Sequence, residues 1–480
     1  MNRSLLLRFL ALLAPLAALA QVPDALAPFV AESARTIVLD HVRVIDGTGR
    51  APVEDQRIVI QDGRIASIEG SKTSNAAPAG AKVLDLSGRT VIPGLVGMHE
   101  HLFYPLPGGG QETLALYGEM ADSAPRLYLA GGVTSARTTG SMEPYTDLAL
   151  KKLIDAGNVP GPKLHITGPY LGSFSAYGPQ MHILTGPDDA ARTVDYWAAE
   201  GVTSFKAYMD IKPDELKTAI EHAHAKGLKV TGHLCSIGFR EAAALGIDNL
   251  EHGLVVDTEF YSGKKPGVCP NEALVGKEMT SLDVESAPVQ EMIRDLVAHH
   301  VAVTSTLAIF ESIVPNRPPL RYENGASQAL TDKAWASYLA ARSGIAASGS
   351  NFDILFKKEM QFERDFVKAG GLLMAGCDPT AYGGVLPGFG DQREVELLVE
   401  AGFTPVEAIH IATQNGAVFL GEDANVGSLG SGKAADIVVL HGDPSKKIDD
   451  VSNVDMVFKD GIGYDPAKLR DSVRGLMGLR

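Results

Sequence analysis

Hydrophobic and polar positions along this chain follow two rhythms, one through its middle and another at its ends. Between residues 91 and 378, short apolar runs recur in regular order: TVIPGLVGM, GVTSARTT, KLHITG, VTSFKAY, LKVTGH, IDNLEH, VAVTSTLA and LLMAGCD. Each reads as a β-strand, and segments of helical period lie between them. In PDELKTAIEHAHAKG, Pro213 suits the first helical position, Leu216, Ala219, Ile220 and Ala223 make one apolar stripe, and Gly227 stops the helix. Eight strands alternating with helices predict an α/β fold, a (β/α)8 TIM-like barrel over residues 93–420.

The ends alternate apolar and polar residues around Asp-Gly turns. TIVLDHVRVIDGTG, RIVIQDGRIASIEG and AKVLDLSG precede the barrel region; ADIVVLHG and VDMVFKDGIGY follow it. Such runs are half-buried strands joined by hairpins. They predict a small β-sandwich domain formed by both chain ends, residues 34–92 and 421–470. Thr404-Pro405-Val406-Glu407 is a capping box with Pro at the first helical position, so a helix is expected from there to Leu420. Two connections are unusually long, one after His252 and one of about 60 residues after TSTLA, and loops of that length are usually functional or carry their own structure. Both leave from one end of the barrel and are expected to form walls or a lid there.

Residues 1–20 follow a third pattern. Arg3 and Arg8 precede an apolar run from Phe9 to Leu19, and Ala18-Leu19-Ala20 has the small residues of a signal-peptide cleavage site. The run is short for a membrane span, which needs about 20 apolar residues. We expect a signal peptide cleaved before Gln21, no stable membrane insertion afterwards, and an exported protein, periplasmic rather than secreted; a retained anchor is the lesser reading.

The 480 residues carry 43 Lys+Arg against 58 Asp+Glu, a formal charge of −15. Losing Arg3 and Arg8 with the leader takes that to −17. An acidic chain repels phosphate backbones, so nucleic acid and anionic membrane surfaces are excluded as partners. A hydrophobic content of 45% without low-complexity tracts points to a globular enzyme acting on a small molecule and not to a disordered scaffold. With only three cysteines, disulfides do not form the scaffold. Cys235 lies two residues after His233 and Cys269 in the long loop after His252, so an exported protein could bridge them and leave Cys377 as a buried thiol. Three free thiols is the other reading, because spacing does not fix connectivity.

Six residues close the apolar runs with chemistry: His99 and His101 in GMHEHL, Lys206 in TSFKAYMD, His233 in VTGHL, His252 in NLEHG and Asp378 in AGCDP. Side chains alternate along a strand, so His99 and His101 point the same way and can hold one ion together. Two strand histidines alone are weak evidence. Their force comes from position: His233 and His252 end the fifth and sixth strands, where a second ion needs ligands, and Asp378 ends the eighth, which adjoins the first in a closed barrel. Lys206 points an amine into the barrel mouth, costly as an unpaired charge. If carbon dioxide carboxylates it, the product is an anion able to bridge two metals; the plainer reading is a lysine that reaches solvent or pairs with a carboxylate.

These residues, with PGLVGMHEH and GSLGSGKAADIVVL, resemble the amidohydrolase superfamily in its binuclear, carboxylated-lysine branch, particularly exported members related to imidazolonepropionase and Xaa-Pro and Xaa-Arg dipeptidases. The likeness spans nearly the whole mature chain. It implies two divalent metal ions, with zinc favoured: His99, His101 and Asp378 hold one, His233 and His252 the other, and a CO2-derived carboxylate on Lys206 bridges both. It implies hydrolysis of an amide bond in a dipeptide or N-acyl amino acid by a metal-bridging hydroxide, with Asp378 as general base and then acid. Cyclic amides, lactones or esters are the alternative substrates, and a non-enzymatic binding protein is the alternative class. Homo-oligomers are common in the family. Gly97 departs from the pattern, since many relatives place Asp there. A mononuclear deaminase would carry a His-x-x-Glu after the fifth strand, whereas His233-Leu234-Cys235-Ser236 has no Glu.

Four further residues are weaker candidates. Tyr208, two positions beyond Lys206, could donate to a developing oxyanion. Tyr177 and His182 follow the third strand and could reach the pocket, and Arg393 could bind a substrate carboxylate in bidentate fashion. His222 and His224 do not share a helix face and cannot jointly ligate.

Overall fold

The structure is a computed structural model that describes residues 22–72, 76–105, 116–172, 180–317 and 325–478. The leader expected at residues 1–20 and the candidate Tyr177 lie outside the described residues. Six strands come first: β1 (Val30–Glu32), β2 (Thr36–Val44), β3 (Val53–Gln61), β4 (Arg64–Gly70), β5 (Lys82–Asp85) and β6 (Arg89–Pro93). After Gly94 come β7 (Leu95–Glu100), β8 (Phe103–Pro105), β9 (Tyr117–Glu119), β10 (Val133–Thr138), β11 (Lys163–His165) and β12 (Ser204–Met209). Then follow β13 (Lys229–Leu234), β14 (Asn249–Glu251), β15 (Ala302–Ser305), β16 (Leu373–Ala375), β17 (Ile437–His441), β18 (Val454–Lys459) and β19 (Ile462–Tyr464).

All eight apolar runs of the middle region become strands, with one change. TVIPGLVGM divides at Gly94: its first half is β6, which pairs with β17 and β2, and only its second half, β7, joins the parallel strands. The central strands form two parallel sheets, one in the order β11-β10-β7 and one in the order β12-β13-β14-β15-β16. Isolated parallel bridges from Thr167 to Ser204 and from Leu171 to Ala207 connect them. At the other end, the Asp378 amide donates to the His99 carbonyl at 2.9 Å, and Gly376 comes so close that a Cβ there would lie 2.2 Å from the His99 nitrogen. Only glycine lets the end of β16 run that close to β7.

The helices between these strands bury the stripes that the sequence shows. Pro213–His224 starts on its proline and buries Leu216, Ala219, Ile220 and Ala223. Residues 405–420 are one helical run, capped at Thr404 and widened to a π-turn over Ile411–Asn415. The long connections are largely structured: Glu272–Met279 lies in the first, and Leu307–Ser312, Asp332–Ala347 and Phe352–Lys368 lie in the second.

The flanking strands share one sheet in the order β1-β19-β18-β17-β6-β2-β3-β4, with β5 beside β2. Arg64 at the start of β4 bridges back to Ala434, so the sheet curls and encloses Ile37, Leu39, Ile58, Ile60, Ile437 and Phe458. The alternating residues of β2 and β3 supply one face of that core, as their period requires.

Candidate metal centre

The six residues that close the parallel strands meet at one end of them. His99 and His101 come from β7, Lys206 from β12 and His233 from β13; His252 follows β14 and Asp378 follows β16. One pairing, β12 to β13, sets Lys206 opposite Thr231 and Tyr208 opposite His233, two positions apart in the register and so on one face of the sheet. His99, His101, Lys206 and His252 are almost wholly buried, and Asp378 keeps 6% of its surface.

The geometry is close-packed. His101 Nε2 lies 3.2 Å from Asp378 Oδ1, and His99 Nε2 lies 3.7 Å from Asp378 Oδ2. The Lys206 amine stands 3.2 Å from His99 Nε2. The His252 ring is 4.5 Å from the rings of both His99 and His233, centre to centre. Nδ1 of His99 donates to Glu251 Oε2 at 2.9 Å, and Arg137 donates to Glu251 Oε1 at 2.9 Å and to the Met98 carbonyl. His252 Nδ1 meets the Thr306 hydroxyl at 2.8 Å. The Glu251 contact fixes the His99 ring and leaves its Nε2 towards Lys206 and Asp378, the arrangement that orients metal-binding histidines.

Electrostatics follow from this enclosure. Burial lowers the imidazoles, taking His101 to about 4 and His233 to about 3, so both are neutral near pH 7. Burial also lowers the Lys206 amine, to about 8. Burial alone would raise Asp378, but His99, His101 and His252 around it hold the carboxylate well below its ordinary value.

This donor set fits a divalent ion. Zinc with bonds of about 2.0–2.1 Å to tetrahedral ligands sets neighbouring ligand atoms about 3.3 Å apart, and the 3.2 Å and 3.7 Å separations around Asp378 bracket that value. The ligating atoms of His99, His101 and Asp378 all lie within 4.8 Å of one another. His101 Nδ1 is buried without a hydrogen-bond partner among the described residues.

Some residues important to this arrangement were missed in the sequence. Glu251, Arg137 and Thr306 orient His99 and His252, and only the letters NLEH, which place a carboxylate beside a candidate ligand, hinted at one of them. Glu100, between the two histidines of β7, points away from them. It accepts from the Cys377 amide and thiol, both at 3.2 Å, and with Asp391 forms a second buried group of ligand-type side chains. It also accounts for Gly97: a Cβ there would sit 2.6 Å from Glu100 Oε1, so the space is already taken.

Two weaker candidates are corrected. Arg393 is held by Glu311 at 2.7 Å and 2.8 Å and by Glu396 at 2.6 Å, which uses up its bidentate face. It lines a separate small cavity of about 80 Å³ with Tyr338 and Tyr382. His182 pairs with Asp189 at 3.0 Å with 47% of its side chain exposed. Neither lines the cavity beside the histidines. Tyr208 does, its ring 5.3 Å from that of His233 and 5.0 Å from that of Tyr170. The Cys235–Cys269 bridge is formed, and Cys377 is a buried free thiol.

The amidohydrolase family model matches residues 90–462. A dihydroorotase of Pelotomaculum thermopropionicum is 24% identical over 415 residues, covering 83% of this chain and 87% of that one. An imidazolonepropionase of Paenarthrobacter aurescens is 35% identical over 102 residues, 21% of this chain and 22% of the other. Among solved structures, a Xaa-Pro dipeptidase with bound methionine in its active site superposes with a TM-score of 0.65 at 19% identity, covering 90% and 100% of the two chains. A bottromycin amidohydrolase gives 0.66 at 20% identity, covering 95% and 93%.

Proposed function

Because the chain belongs to the amidohydrolase family and is therefore a hydrolase, we propose that it cleaves an amide bond in a dipeptide or N-acyl amino acid at the His99, His101, Lys206, His233, His252 and Asp378 cluster. The observation that carries this reading is the convergence of four histidines, a lysine and an aspartate, drawn from five strand ends, on one buried point. His99, His101 and Asp378 hold one divalent ion, zinc being favoured by nitrogen and carboxylate donors, and His233 and His252 hold a second. When bound, such ions polarise a carbonyl and lower the pKa of water.

The chain's own residues supply the rest. Asp378, kept ionised by the imidazoles beside it, takes a proton from water and returns it to the departing amine. The Lys206 nitrogen, 3.2 Å from His99 Nε2, would add to the carbon of CO2, forming a C–N bond and losing a proton, and the carboxylate so formed would supply an anionic ligand to the ions. Tyr208 donates to the carbonyl oxygen as charge develops there. The same centre would open a cyclic amide, lactone or ester; among the relatives, the dihydroorotase and the imidazolonepropionase point to cyclic amides, so amide hydrolysis is favoured over ester hydrolysis and the cyclic amide stands as the second reading. Around it we read residues 93–420 as a closed (β/α)8 barrel, and 34–92 with 421–470 as a β-sandwich. The leader pattern of residues 1–20 supports an exported, periplasmic enzyme, and the −15 charge supports a small-molecule substrate over nucleic acid. Among the described residues no helix is long and apolar enough to cross a membrane.

The test is product detection after incubating zinc-loaded protein with mixed dipeptides and N-acyl amino acids. Wild type should release free amino acids, and Asp378→Asn should be slower by a factor on the order of 10²–10⁴ while keeping its metal. Full activity in that variant would remove Asp378 from proton transfer, and no release by wild type would move the assignment to cyclic amides, lactones or other esters.

A further inference from the structure

A cavity of about 830 Å³ opens on the His233 side of the cluster, and both long connections build it. Its inner wall is Val255, Val256 and Val275 from the first connection and Phe310, Phe352 and Leu355 from the second. The Phe310 ring stands 5.7 Å from the His252 ring and 6.0 Å from that of Phe352, so an aromatic wall runs outward from a candidate ligand. Among the described residues that line the cavity, Glu272 and Lys277 alone carry formal charge, and both are exposed on the helix Glu272–Met279. A polar substrate would leave that wall in contact with water, whereas an apolar one would cover it.

Resting on the amide-hydrolase reading above, we propose that this cavity is the specificity pocket and takes a bulky apolar group, aromatic or branched aliphatic, carried next to the scissile amide. Cys235 lines the pocket and is bonded to Cys269, six residues before the wall residue Val275, so the first connection is tied to the end of the strand that bears His233. A wall fixed in advance does not lose ordering entropy when the ligand arrives. Burying a leucine- or phenylalanine-sized group in place of a methyl is expected to favour such substrates by roughly ten- to a hundredfold.

Two series test this with the zinc-loaded full chain: N-acetyl derivatives of glycine, alanine, leucine and phenylalanine, and acetyl-, hexanoyl- and phenylacetyl-glycine. We expect kcat/KM to rise at least about tenfold with size in one series. Phe352→Trp, which narrows the cavity, should move that ratio towards one; Phe352→Ala should shift the optimum to larger groups. Calorimetric binding of the same compounds to Asp378→Asn separates the two ideas. Tighter binding of bulky compounds without turnover by wild type would keep the pocket and end the amide reading. A flat response in both series, a preference for the small members, or no binding of any compound would overturn the pocket.

Discussion

Asp378 has φ 49° and His252 has φ 73°, so two of the six candidate ligands occupy the left-handed region. Non-glycine residues reach it at a cost, and such strain gathers at functional sites because the surroundings hold it in place. Aspartate and asparagine tolerate this region better than most residues. Asp378→Asn should therefore keep its backbone and its 2.8 Å contact with the Thr380 hydroxyl, so that lost activity reports chemistry and not misfolding. At Lys206 the prediction concerns carbon dioxide. Protein stripped of metal and reloaded in CO2-free buffer should recover less than about a tenth of its activity, bicarbonate should restore the rest, and Lys206→Met should respond to neither, given that metal affinity follows ligand charge and number. Equal recovery with and without bicarbonate would reject the carboxylated form. The candidate ligands could be read in the sequence because each ends an apolar run. Arg393 could not: its partner Glu311 lies 82 residues away in sequence, and no local pattern reports that pairing.

Elements were legible where an apolar run carried them, even at the three residues of β11, β14 and β16. Strands such as β12 and β13, six residues each, announce themselves by apolar runs; β8 and β9, three residues each, do not. Yet this short hairpin reaches the candidate centre, since Phe103 stacks on His101 at 4.5 Å and Tyr117 meets Phe103 edge-on at 4.9 Å. Its last residue, Glu119, is pushed up to about 9 by burial and then by Asp147, itself raised to about 7 by burial. A carboxyl with a raised folded-state pKa keeps a proton that the unfolded chain has already released. Stability must then fall as pH rises between the unfolded value near 4.5 and about 9. Glu119→Gln should flatten that slope, adding about 1–2 kcal/mol at pH 8 and little at pH 5. Parallel stability curves for variant and wild type across this range would contradict it. The division of TVIPGLVGM was also hidden, because both halves are apolar and only their partners differ.

For the molecule as a whole, the Cys235–Cys269 bond closes a loop with a sequence separation of 34. Chain entropy gives such a loop about 4 kcal/mol of stabilisation. Replacing both cysteines with serine should lower Tm by a few degrees in a protein of this size, and an unchanged Tm would mean that the packing of the connection already holds it. The sheet shared by the two ends has a different consequence, in the timing of assembly. β6 pairs with β2 on one side and with β17 on the other, and residues 94–436 lie between β6 and β17 in the chain. During synthesis, a nascent chain that has already completed every parallel strand still presents β6 with a bare edge, the kind that recruits other chains. The finished molecule must therefore wait for its last strands, and a holding chaperone that covers that edge would govern yield without ever touching the histidine cluster.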